Sequence, residues 1–131
     1  MDLRILEIAS NTENNKVLDN FTHQSKNKNP ICGDEMEINL IVENDKVIDM
    51  GYQCKSCIYC QASVSLLSRC AKNKYIENIK DFAKKAKNSF KENFLFNHEW
   101  KDFNKLMNNN NTARKECLLL PINTTIDALT K

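Results

Sequence analysis

Six cysteines in a chain of 131 residues are the side chains with the clearest capacity for chemistry. Thiolates bind zinc and iron, and they are the nucleophilic form of cysteine in sulfur transfer. The start of the chain has no long apolar stretch and no small-residue cleavage site, so we expect a cytoplasmic protein. Thiols stay reduced in that compartment, and six of them therefore favour metal or sulfur chemistry over a disulfide framework.

The first candidate site is Asn29-Pro30-Ile31-Cys32-Gly33-Asp34. A glycine between a thiol and a carboxylate permits a positive φ, so that Cys32 and Asp34 could both turn towards one ion. The alternative is a tight turn with an incidental buried cysteine.

The second and third candidates are Cys57 and Cys117. Cys57 opens a predicted helix, where free N–H groups and the helix dipole favour a thiolate, although it could also pack as a small hydrophobe. Cys117 lies between a charged stretch and three leucines. The separations of 25 and 60 residues mean that the fold must assemble any shared site, unlike the local knuckles of zinc fingers.

Apolar periodicity predicts the elements that would position these residues. Period-two alternation from Glu35 to Val42 predicts a strand, and Val47 to Tyr52 predicts a second strand that follows the polar turn Asn44-Asp45-Lys46. Ser56 to Lys72 contains no proline or glycine and predicts a helix with Ser56 as its N-cap.

Further helices are predicted at Leu3 to Ala9, at Tyr75 to Leu95 and beyond Pro121, with a break at Asn108 to Asn111. The sequence thus predicts one α+β domain over residues 1–131. It consists of a small antiparallel sheet of about three strands, an N-terminal helix and several C-terminal helices packed on one face. We expect the site at one end, where the loop at Cys32, the helix start at Cys57 and the loop at Cys117 converge.

Three blocks of the sequence resemble the IscU/NifU/SufU family of iron–sulfur cluster assembly scaffolds. Asn29 to Asp34 is similar to the family's N-P-x-C-G-D, and Ala62-Ser63-Val64-Ser65 resembles its A-S-x-S after the second ligand cysteine. Arg114-Lys115-Glu116-Cys117 looks like the R-x-x-C of SufU-type proteins. The resemblance covers roughly the whole chain as a single NifU N-terminal-like domain.

The resemblance implies that Cys32, Asp34, Cys57 and Cys117 bind a Zn²⁺ ion or a transient [2Fe–2S] cluster. It also implies sulfur delivery by a cysteine desulfurase, with Cys117 as a possible sulfur acceptor, and transfer to apo iron–sulfur client proteins. Such a protein is a scaffold or sulfur carrier, not an enzyme that turns over a metabolite.

The SufU-like branch is the closer match. The chain lacks the L-P-P-V-K segment and the histidine before the third cysteine that mark the IscU branch. In the SufU branch, an arginine at the position of Arg114 can pair with the ligand aspartate when the metal site opens. Glu116 departs from both branches.

A competing interpretation uses the cysteines at positions 54, 57 and 60. Two successive C-x-x-C steps resemble a bacterial ferredoxin and would indicate a small iron–sulfur electron carrier. That motif needs a fourth cysteine soon afterwards, followed by proline, whereas here the next is Cys70, followed by Ala71. We expect Cys60 to be buried, with an auxiliary thiol in sulfur relay as the alternative, and Cys70 to lie in the core.

Charge and hydropathy exclude other classes of partner. The formal net charge is only +2, so we expect no nucleic-acid binding, and no apolar run is long enough to cross a membrane. A lysine-rich stretch between residues 72 and 91 is interrupted by acidic residues and predicts a solvated helix face, with docking to an acidic partner surface as the alternative. We expect His23 to lie in a polar loop, and His23 and His98 are assigned no role.

Overall fold

The protein folds as an antiparallel sheet with helices packed on it. The structure, a computed structural model, describes residues 3–91 and 94–130. Within them four strands pair in the order β1-β2-β3-β4 and span His23–Lys28, Glu35–Glu43, Lys46–Lys55 and Lys74–Tyr75. Helices α1 to α4 span Leu3–Ala9, Ile58–Cys70, Ile76–Asn88 and Lys115–Leu129, and 3₁₀ segments span His98–Lys105 and Asn109–Arg114. The predicted α+β class is confirmed.

The β2–β3 hairpin forms as its sequence pattern predicts. Its tight turn uses Asn44 and Asp45, both with positive φ (54° and 63°), a conformation that these two residue types tolerate. Ile38 pairs with Tyr52, and Leu40 with the buried Met50, so one face of the hairpin belongs to the core. No helix in the described residues is long and apolar enough to cross a membrane.

Strand β1 corrects the prediction of a polar loop around His23. It pairs with β2 along its whole length, for example at Ser25 and Ile38. Its six residues, HQSKNK, are all polar, so backbone pairing with β2 and not an apolar alternation defines the strand. The sheet therefore has four strands where the sequence predicted about three, and β1 leads directly into the turn that carries Cys32.

Helix α3 is shorter than predicted. It ends at Asn88 and not at Leu95, because the backbone N–H and the hydroxyl of Ser89 both donate to the carbonyl of Ala86, at 3.1 and 2.6 Å. The apolar spacing continues to Phe94 because that side chain still packs against the core, outside the helix. Residues 92 and 93 of the predicted helix lie outside the described residues.

Helix α4 begins before Pro121 and not after it. Cys117 therefore lies in the first turn of a helix, where the sequence predicted a loop. Pro121 is tolerated inside α4, although it lacks the N–H that would donate to the carbonyl of Cys117. The predicted break at Asn108 is present, since its side chain accepts a hydrogen bond from the N–H of Asn110 at the start of a 3₁₀ segment.

Helix α2 is the buried centre of the helical layer. Ala62, Val64 and Leu67 have no exposed surface. The hydroxyl of Ser65 lies 3.1 Å from the carbonyl oxygen of Ile8 and 2.6 Å from that of Asn11, so it fastens the end of α1 to α2.

We expect Ser65→Ala to lower the free energy of unfolding by about 1–3 kcal/mol, because carbonyl groups at the end of α1 lose a buried donor. Urea unfolding followed by circular dichroism measures this change. Ser10→Ala is the matched control, because its hydroxyl donates to Glu7 in an exposed position, and it should cost less than about 0.5 kcal/mol. Equal losses in the two variants would show that Ser65 does not fasten α1.

Candidate metal centre

The turn between β1 and β2 presents Cys32 and Asp34. It is closed by two backbone hydrogen bonds of 2.8 Å, one from the N–H of Asn29 to the carbonyl of Asp34 and one from the N–H of Gly33 to the carbonyl of Asn29. Gly33 has a φ of +79°, in the left-handed region that glycine adopts without strain. The turn leaves Cys32 exposed and buries Asp34, which is 5% exposed.

The two carboxylate oxygens of Asp34 have different surroundings. Oδ1 accepts a hydrogen bond of 3.1 Å from the backbone N–H of Cys57. Oδ2 is buried and has no hydrogen-bond partner among the described residues. A buried, unpartnered carboxylate oxygen is costly, and a bound cation would satisfy it. Asp34 thus joins the turn to α2 and retains one oxygen for a ligand.

Cys57 is the N-cap residue of α2, which corrects the prediction of Ser56. The hydroxyl of Ser56 is buried and has no partner among the described residues, so it does not cap the helix. The thiol of Cys57 makes no capping hydrogen bond either. It is therefore available for a ligand at the N-terminus of α2.

Cys117 approaches the turn from α4. Its Sγ lies 3.8 Å from the Sγ of Cys32, and its side chain is buried. Burial raises the pKa of the Cys117 thiol well above its usual range, and Cys57, Cys32 and Asp34 raise it further. A thiolate at this position therefore needs a positive charge nearby, which a metal ion would supply.

Three of the four predicted ligands form one compact group. The Sγ atoms of Cys32 and Cys117 and a carboxylate oxygen of Asp34 all lie within 4.8 Å of one another. The Sγ of Cys57 is not within this limit of all three, although Cys57 contributes to the raised pKa of the Cys117 thiol. Thiolates and a carboxylate are suitable ligands for zinc and for iron–sulfur iron, so the group could hold a metal.

The remaining cysteines do not join this group. Cys54 lies on β3, Cys60 is fully buried in α2 and Cys70 ends that helix. Burial raises the pKa of all three thiols. Among the residues that the structure describes, no candidate ligand group includes Cys54 or Cys60, so the geometry does not favour the electron-carrier interpretation.

Arg114 lies between the two helices that carry Cys57 and Cys117. Its guanidinium stacks over the ring of Tyr59 in the first turn of α2, with 5.1 Å between Cζ and the ring centroid. This cation–π contact connects the start of α4 to the start of α2. Over residues 3–91 and 94–130, Arg114 forms no ion pair with Asp34. Tyr59 was not singled out from the sequence, because only the fold brings it to Arg114.

Ser63 is a positioning residue that sequence reasoning missed. Its buried hydroxyl donates to the carbonyl of Leu118 at 2.6 Å, one residue after Cys117. The bond holds the first turn of α4 against α2. The signal was present as a small polar residue in the A-S-V-S block, but its partner could not be read from the chain.

The fold and this thiol–carboxylate group define a class of small α+β domains with a candidate metal centre assembled from separate elements. The family model described as the NifU-like N terminal domain matches residues 2–92. A Thermotoga maritima protein described as iron-sulfur cluster assembly scaffold protein IscU is 33% identical over 135 residues, which cover 97% of this chain and 90% of that protein. An uncharacterized protein of Borreliella burgdorferi is 33% identical over 111 residues, which cover 84% of this chain and 73% of that protein.

The chain therefore belongs to the NifU-like N-terminal domain family, and the predicted family resemblance is confirmed. Two solved structures share its fold at 22% identity. A NifU-like protein of Brucella abortus has a TM-score of 0.85 over 98% of this chain and 91% of that one. A putative iron-sulfur cluster assembly scaffold protein for the SUF system of Fervidobacterium islandicum has a TM-score of 0.83 over 98% of this chain and 96% of that one. The SufU-like branch stays a prediction.

We expect the free energy of unfolding of the reduced, metal-free protein to fall as the pH rises above about 8.5. Burial raises the thiol pKa of Cys54, Cys60, Cys70 and Cys117 in the folded state, so the unfolded chain loses these protons first. The stabilisation is complete below the unfolded-state pKa and is lost as the pH rises towards the folded-state value. Urea unfolding between about pH 7 and about pH 9.5 measures it.

Cys60→Ala is the informative variant for this pH profile, because it removes one of the buried thiols. Its stability should decline less steeply above about pH 8.5 than that of the wild type. A flat wild-type profile would contradict the raised thiol pKa values.

Proposed function

We propose that this protein is an iron–sulfur cluster assembly scaffold or sulfur acceptor whose centre binds Zn²⁺ or a transient [2Fe–2S] cluster. The observation that carries the proposal is the compact group of Cys32, Asp34 and Cys117, with a buried, unpartnered oxygen on Asp34. Membership of the NifU-like N-terminal domain family and similarity to a scaffold protein of Thermotoga maritima support it.

The proposed ligands are Cys32, Asp34, Cys57 and Cys117. A bound metal would supply the positive charge that stabilises the thiolates, including that of the buried Cys117. Cys57 would join the other three through a small movement at the start of α2, where its thiol has no capping role. A single carboxylate among thiolates makes the site easier to empty than four thiolates would, which suits a protein that passes its cluster on.

The proposed sulfur donor is a cysteine desulfurase, and the recipients are apo iron–sulfur proteins. Cys32 is the exposed thiol of the group and would meet the donor first. Its thiolate would attack the outer sulfur of the donor's persulfide, which forms a Cys32 persulfide and releases the donor cysteine as a thiolate. Cys117, the acceptor predicted from the sequence, is buried 3.8 Å from Cys32. We propose that the Cys117 thiolate attacks the outer sulfur of the Cys32 persulfide, which forms a Cys117 persulfide and releases Cys32 as a thiolate.

We expect the purified protein to contain one Zn²⁺ per chain, or to form a coloured cluster after incubation with a desulfurase, iron and cysteine. Cys117→Ser should weaken metal affinity by a factor of about ten or more. Loss of a residue that only hydrogen-bonds to a ligand already weakens metal affinity by about tenfold or more, and loss of a ligand should weaken it at least as much. Elemental analysis and visible absorption measure both effects.

Cys70→Ser is the matched control, because Cys70 lies at the far end of α2 and outside the ligand group. It should retain wild-type metal content. Negligible metal in the wild type under both conditions, or equal retention by the Cys117→Ser variant, would refute the ligand assignment.

A further inference from the structure

A groove runs between α3 and α4, on the surface of the helical layer. Its volume is about 460 Å³. Three lysines, two apolar residues and one aspartate are prominent in its lining: Lys80, Ala83, Lys84, Lys87, Ile126 and Asp127. None of these residues belongs to the metal centre, and the proposed function uses none of them.

The three lysines form a row of positive charge along the groove. Lys80, Lys84 and Lys87 lie four and three residues apart, so they share one face of α3. Among the described residues none of the three forms an ion pair, whereas Lys85 on the same helix pairs with Asp81 at 3.1 Å.

The groove has few internal counter-charges. Asp127 is the acidic residue in its lining, and its carboxylate accepts a hydrogen bond of 2.8 Å from the side chain of Asn27. Three lysines and one aspartate give the lining a formal charge of +2, as large as the net charge of the whole chain. The charge complement of this surface is therefore an acidic ligand.

The floor of the groove is apolar. Ala83 is buried, and Ile126 is half-buried and packs against the core. An apolar floor beneath a cationic rim suits a segment that presents an apolar side chain between carboxylates.

We propose that the groove between α3 and α4 is a docking surface for an acidic segment of a partner protein, with an apolar side chain on Ala83 and Ile126 and carboxylates on the three lysines. A nucleic acid fits less well, because the lining has no arginine and no aromatic ring on which a base could stack. A membrane surface fits less well, because the apolar residues form the floor of a groove and do not protrude.

The groove lies close to the candidate metal centre. Asp127 follows Cys117 by ten residues on α4, a distance of about 15 Å along the helix axis. Its bond to Asn27 also connects the groove to β1, the strand that leads into the turn of Cys32. A protein held at the groove would therefore be within reach of the metal centre. The docking surface does not depend on which metal or cluster that centre holds.

The test uses the full chain, labelled with ¹⁵N, and a synthetic peptide of about 12 residues in which leucines are flanked by glutamates. We expect amide shifts centred on the groove, at residues 80–87 and 123–130, and weaker binding as salt rises. A peptide with serine in place of leucine should bind more weakly, because the apolar floor then loses its contact.

Charge reversal separates the groove from the net charge of the protein. K80E/K84E/K87E should weaken peptide binding by a factor of about ten or more, and the control K16E/K101E/K105E, made at exposed lysines elsewhere, by less than about twofold. Equal weakening by both triple variants would overturn the proposal. So would amide shifts outside the groove, or tighter binding there of an oligonucleotide or of phosphatidylserine vesicles. The amide shifts of the wild-type chain test the proposed docking surface even if a variant fails to fold.

Discussion

The hydrogen bond from the backbone N–H of Cys57 to Oδ1 of Asp34 is the contact on which the candidate metal centre depends. It joins the turn before β2 to the start of α2 over a distance of 3.1 Å, although the two residues are far apart in sequence. Because one oxygen of the buried Asp34 is held in this way, the carboxylate has a defined orientation. A carboxylate oxygen of Asp34 lies within 4.8 Å of the Sγ atoms of Cys32 and Cys117, and Oδ2 has no hydrogen-bond partner among the described residues.

A second contact brings the third element to this point. The hydroxyl of Ser63 holds Leu118, and with it the first turn of α4, against α2. Cys117 is thereby placed 3.8 Å from Cys32 in surroundings that keep its thiol neutral. The buried, unpartnered oxygen of Asp34 is unfavourable without a cation. A bound cation would satisfy that oxygen and would stabilise the Cys117 thiolate that the surroundings otherwise disfavour. This local free-energy cost indicates that the group is a binding site and not only a packing arrangement.

Those parts of the structure that rest on apolar periodicity could be predicted from the sequence. The strands of the β2–β3 hairpin show apolar alternation of period two, and its turn contains residue types that tolerate a positive φ. Its pairing could therefore be predicted. Strand β1 was not, because its residues are all polar and only pairing with β2 makes it a strand. The end of α3 was missed because Phe94 continues the apolar spacing after Ser89 has closed the helix.

The candidate ligands could be proposed from residue types and family resemblance, but their arrangement could not. Pro121 suggested that α4 starts after it, so Cys117 was predicted in a loop, whereas the helix tolerates the proline. The roles of Ser63 and Tyr59 rest on partners 55 residues away in sequence, Leu118 and Arg114. Contacts of this kind exist only in the folded chain, and no local sequence pattern predicts them.

We propose that a carboxylate and three thiolates from three separate elements hold one metal. X-ray absorption at the zinc edge of the zinc-loaded protein tests it most directly, because it counts sulfur and oxygen ligands. The proposed ligands predict three sulfur ligands at about 2.3 Å and one oxygen ligand at about 2.0–2.2 Å. Four sulfur ligands would contradict it, since a cysteine outside the group would then replace Asp34. A shell of oxygen and nitrogen alone would contradict it as well.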